Sequence, residues 1–161
     1  MHAPSSIRYR RDATPGKRDV RKVPFVELFN GRLQGVVSSG SDITRVYVSF
    51  FEAGTLHYYC STNNNRPCGG LRGGPCKHLE SLVREAVQQF GLAQVTTYLQ
   101  LPAEATQAEG AAELAAQIRT RLAGSMHKAP AGEVFSRFLN NLRYMELPQS
   151  MQPVVEMAWF V

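Results

Sequence analysis

The stretch from His57 to His78, HYYCSTNNNRPCGGLRGGPCKH, restricts the fold of this chain more than any other. Residues 61–75 are dominated by Asn, Gly and Pro and show no apolar period, so neither helix nor strand is expected there. A segment of that length without regular structure is uncommon inside a compact domain unless something organises it. All three cysteines of the chain, Cys60, Cys68 and Cys76, lie in this stretch, and His78 closes it. These four soft side chains are the candidate organiser.

The flanking segments read clearly. Residues 24–37, PFVELFNGRLQGVV, place two apolar runs about Asn30-Gly31, a pair that tolerates positive φ and signals a tight hairpin. Residues 43–51, ITRVYVSFF, alternate as a strand, with Thr44, Val46, Val48 and Phe50 on the more apolar and therefore buried face. A turn at 52–54 leads into TLHYYC as a fourth strand, and four strands joined by short turns predict an antiparallel meander. After His78, Leu79, Leu82, Val83, Ala86, Val87 and Phe90 form a helical stripe, with Gly91 as its stop. An Ala-rich helix is expected within 104–123, its first turns weakened by Gly110. A third is expected over 132–146 with Val134, Phe135, Phe138, Leu139, Leu142 and Met145 inward. The final MQPVVEMAWFV reads as a docked extended segment. The expected class is thus α+β: a small antiparallel meander, a loop organised by its soft side chains and about three helices. The expected division is a basic arm over 1–22, a sheet–loop–helix unit over 23–91 and a helical remainder over 92–161.

Zinc takes four tetrahedral ligands from thiolate and imidazole, and Cys60, Cys68, Cys76 and His78 supply that number and type. Cys76-x-His78 falls at a helix start, where backbone N–H groups favour thiolate charge. Gly69, Gly70, Gly73 and Gly74, with Pro67 and Pro75, let the backbone wrap an ion. His57 is an alternative ligand that would free Cys68, although three residues along a strand place it on the face opposite Cys60. Reduced thiols without metal form the plainer reading. A Cys76–His78 nucleophile pair lacks an orienting third group, and Cys-x-x-Cys redox spacing is absent. A thiol enzyme or redox sensor is therefore the weaker class, and no enzyme activity is expected.

The CKH at 76–78, in the context GGPCKHLESLV, and the preceding strand–turn–strand RVYVSFFEAGTLHYYC resemble the SWIM zinc-finger family over residues 43–90. That family sets a small sheet before a helix, with ligands as Cys-x-Cys, a loop, then Cys-x-His. Here Ser61 and Thr62 follow Cys60, and the remaining cysteine is Cys68. The resemblance implies a binding module for protein or DNA.

Charge narrows the class further. The net charge is +5, and it sits in residues 1–22, where Arg8, Arg10, Arg11, Lys17, Arg18, Arg21 and Lys22 face only Asp12 and Asp19; the remainder is balanced. A neutral body argues against tight non-specific DNA binding. A protein partner is therefore expected, contacted through a metal-ordered loop bearing Asn64, Arg66, Arg72 and Lys77. Nucleic-acid binding through the basic arm and that loop is the alternative. No apolar run is long enough for a membrane span, no secretory pattern opens the chain, and no small-molecule motif is evident, so a cytoplasmic location is expected.

Overall fold

The structure is a computed structural model that describes residues 22–39 and 45–146. Four antiparallel strands, β1 (Phe25–Phe29), β2 (Arg32–Ser38), β3 (Val46–Glu52) and β4 (Tyr58–Thr62), form one sheet in sequence order. The β1–β2 register pairs Phe29 with Arg32, leaving Asn30 and Gly31 as a two-residue turn at φ 53° and 75°. Both positive angles explain why Asn-Gly is needed there. Four helices follow: α1 (Lys77–Phe90), α2 (Leu92–Tyr98), α3 (Ala111–Gln117) and α4 (Gly132–Glu146). The fold is α+β with a β-meander.

Both faces of the sheet are covered. Leu33 and Val37 of β2, Phe51 of β3 and Tyr58 and Cys60 of β4 pack against Leu79, Leu82, Val83 and Ala86 of α1, with Leu114, Ala115 and Ile118 joining the same core. On the opposite face Phe25, Val36 and Val48 meet Val134 and Phe138 of α4, and the Phe25 and Phe138 rings lie 5.9 Å apart. Strand alternation assigned burial to only one face of β3; Val48, packed with α4, and Phe50 are buried on that face, while Ser49 and Phe51 are sealed on the other. Gly35 permits the close seat of α1, since a Cβ there would collide with the Phe25 carbonyl and the Leu82 side chain. α4 is pinned by Arg137, whose Nε and Nη2 donate to Oε1 and Oε2 of buried Glu27 at 2.5 and 2.9 Å. Gln34 Nε2 donates to the same Oε1 at 2.7 Å, so this carboxylate is well satisfied.

The helices depart from expectation in three places. α2 was not anticipated: Gly91 at φ 86° ends α1, and the chain resumes helix at once to bury Val95 and Leu99. The Ala-rich helix begins at Ala111, because Gly110 interrupts the preceding residues and leaves only a single tight turn at Ala105–Gln107. It continues through one wide turn over Ile118–Leu122, which the Ala123 N–H closes by donating to Ile118 C=O at 2.8 Å. In α4, Val134 and Phe138 are buried as expected, whereas Leu139 and Met145 are exposed. The expected terminal segment at 151–161 and the basic arm up to residue 21 lie outside the described residues. Among the described residues, no helix is long and apolar enough to cross a membrane.

Candidate metal centre

The stretch expected to be irregular is partly ordered by the sheet. β4 runs past Cys60 to Thr62, and the three asparagines then reverse the chain. Asn65 N–H donates to Thr62 C=O at 2.9 Å, and Thr62 N–H donates to Arg66 C=O at 2.8 Å. Asn65 takes φ 65°, a left-handed angle that Asn accepts more readily than most residues. The reversal pairs Ser61 with Pro67 and lets Cys68 N–H donate to Cys60 C=O at 3.0 Å. Eight residues of sequence thereby become one backbone hydrogen bond, and Cys68 arrives beside Cys60. A tight turn at Gly69–Leu71 follows, and Pro75 is buried as the chain enters α1. Cys76 occupies the N-cap position of that helix, and His78 stands in its first turn.

Cys60, Cys68, Cys76 and His78 converge, with one ligand atom from each within 4.8 Å of all the others. The three sulfurs lie 3.7, 3.4 and 3.8 Å from His78 Nδ1. A tetrahedral ion with metal–sulfur and metal–nitrogen bonds of about 2.3 and 2.1 Å has sulfur–nitrogen edges of about 3.6 Å. The spacing therefore fits a four-coordinate metal, and the cluster could hold one. All three cysteines are buried free thiols, and His78 is half-buried.

Neighbouring groups fix these side chains. Ser49, which pairs with Cys60 across β3 and β4, donates its hydroxyl to Cys60 Sγ at 3.2 Å. Gly70 N–H donates to Cys68 Sγ at 3.4 Å. A Cβ on Gly70 would lie 3.0 Å from Cys76 Cβ, so that glycine lets the loop close on the cluster. The Tyr47 ring stacks on His78 at 3.9 Å and 16°, holding the imidazole plane. Such surrounding contacts orient ligands and tune their basicity. Ser49, Tyr47 and Gly70 escaped the sequence reading, because strand register and loop closure decide their positions.

The thiols divide their protons unevenly. Hydrogen bonding from Cys60 lowers Cys76 to about 4, with further help from His78; Leu79 N–H faces the sulfur without a full capping hydrogen bond. Cys60 is raised far above the ordinary thiol range, first by sharing its hydrogen with Cys76 and then by burial. Burial raises Cys68 as well.

His57 does not join the cluster. Its Nδ1 accepts the Ser125 N–H at 3.0 Å, and its ring stacks on exposed His127 at 3.7 Å. There it helps dock the segment whose Met126 pairs in parallel with Tyr58, and a Cβ on Gly124 would strike the Thr55 carbonyl beneath it. Of the proposed partner-binding residues, Asn64 and Arg66 line an open cleft of about 390 Å³ with Arg45, Tyr47, Thr62, Asn63 and Pro67. Arg72, Lys77 and Lys22 are exposed but do not line this cleft. Arg8, Arg10, Arg11, Lys17, Arg18 and Arg21 fall outside the described residues. Comparison with protein families, with curated proteins and with solved structures finds no match.

Proposed function

We propose that this chain is a zinc-binding interaction module, working as an accessory or adaptor subunit whose partner is a protein. The convergence of Cys60, Cys68, Cys76 and His78 on one point carries this reading. Three thiolates and an imidazole suit zinc, whereas calcium and magnesium select oxygen ligands. Four protein ligands complete a tetrahedron and leave no open position for a reactive water, so the site serves folding and not catalysis. Its effect is to fix the loop after β4, whose exposed Asn64, Arg66 and Arg72 then form a rigid polar surface, with Lys77 beside it. The resemblance of Cys76-x-His78 to a SWIM finger belongs to the same proposal.

Affinity capture from an extract of the parent organism, followed by reconstitution from purified components, tests the reading. Wild type should form a defined complex with one protein, resistant to nuclease and lost on chelation or in Cys76→Ser. A complex that survives metal removal, or one that nuclease destroys, would contradict it.

A further inference from the structure

We propose that the cleft between the start of β3 and the turn after β4 receives the carboxylates of an acidic segment of the partner protein. This inference rests on the interaction-module reading above. Arg45 and Arg66 are exposed on the two sides of the cleft, and neither has an ion-pair partner among the described residues. Arg32, Arg84, Arg119, Arg121 and Arg137, by contrast, are all held in ion pairs. No Asp or Glu occurs from Ala53 to Leu79, so the sequence around Arg66 offers it no nearby competitor. Two guanidinium forks on one concave surface, without an ion-pair partner among the described residues, suit planar, bidentate acceptors.

The cleft is also held in shape before any ligand arrives. Arg66 N–H donates to Thr62 Oγ1 at 3.1 Å, and Asn65 Oδ1 accepts the Ala131 N–H at 2.8 Å, tying the turn to the chain ahead of α4. Tyr47 forms part of the lining while stacked on His78, so the proposed metal centre stands directly behind it. A preorganised cleft spends little conformational entropy on binding. The Asn63 and Asn64 amides and the Thr62 hydroxyl can pair with the backbone of an extended peptide. A nucleic-acid strand needs a run of cations that follows successive phosphates. The cleft offers two arginines on one short concave surface and no such run of cations among its lining residues, which favours a short acidic peptide.

The test uses the full chain and a fluorescent ten-residue Glu-rich peptide, with single-stranded oligothymidylate of equal formal charge as comparator. Binding is read by anisotropy, and metal content is measured on the same samples. The peptide should bind, and the Arg45→Ala/Arg66→Ala double variant should bind it about tenfold more weakly with unchanged metal content. Arg84→Ala, half-exposed and outside the cleft lining, should bind as wild type does. No peptide binding by metal-loaded wild type, binding unaffected by the double variant, or tighter binding of the oligonucleotide would each overturn the proposal. A wild type without metal would remove the module reading itself, and the metal assay separates that outcome from failure of the cleft alone.

Discussion

Cys60 and Cys76 compete for one proton inside the cluster, and Cys76 keeps the charge. Its thiol lies near 4, while Cys60 is raised by the shared hydrogen and then by burial, and Cys68 is raised by burial. At neutral pH the metal-free cluster therefore carries one thiolate, whereas a tetrahedral zinc site needs all three. Loading near pH 7 should then release about two protons, those of Cys60 and Cys68. The sign follows directly: protons compete with the metal for sulfur, so affinity falls as the pH is lowered. Titration calorimetry in buffers of different ionisation enthalpy measures the release. A value near zero would mean that the thiols are already ionised or do not ligate.

At the scale of elements, α4 is attached to the sheet through one polar contact set into an apolar face. Glu27 is 4% exposed and receives both forks of Arg137 together with Gln34, and the guanidinium also lies 3.5 Å from the Phe29 ring centroid. Removing Arg137 leaves a buried carboxylate short of partners. Arg137→Met should therefore cost about 2 kcal/mol, less than a fully buried pair because the guanidinium is partly solvated. Replacing both residues by Leu should cost less than Arg137→Met alone, since no buried charge remains. Chemical denaturation of the three proteins decides this, and a double variant weaker than the single would contradict it. Nothing in the sequence announced the contact, because the residues are far apart and Glu27 sits in an ordinary strand. The elements themselves were more legible. Asn30-Gly31 marked its hairpin and the stripe from Leu79 to Phe90 marked α1, each through a local rule. α2 escaped because its β-branched Val95, Thr96 and Thr97 weaken the helical signal. The spacing of Leu92, Val95 and Leu99 was the cue available for it.

For the molecule as a whole, the sheet acts as a platform with two dissimilar faces. One carries α4; the other carries α1 and the cysteine cluster, set where β4, the reversing loop and the helix start meet. The four cluster residues were legible from residue type and clustering alone. Their route together was not, because it depends on Cys68 returning to the edge of β4 through the Asn-rich turn. The same turn supplies Arg66 to the cleft, while Arg45 lay hidden in a strand and became a candidate only through the fold. The proposed metal is what would hold the reversing loop, the start of α1 and the edge of β4 together. Elemental analysis of the protein, purified reduced and without chelator, should find one zinc per chain. That zinc should be lost in Cys60→Ser, Cys68→Ser, Cys76→Ser and His78→Ala, and kept in His57→Ala. A metal-free wild type, or zinc that depends on His57 and not on Cys68, would contradict it.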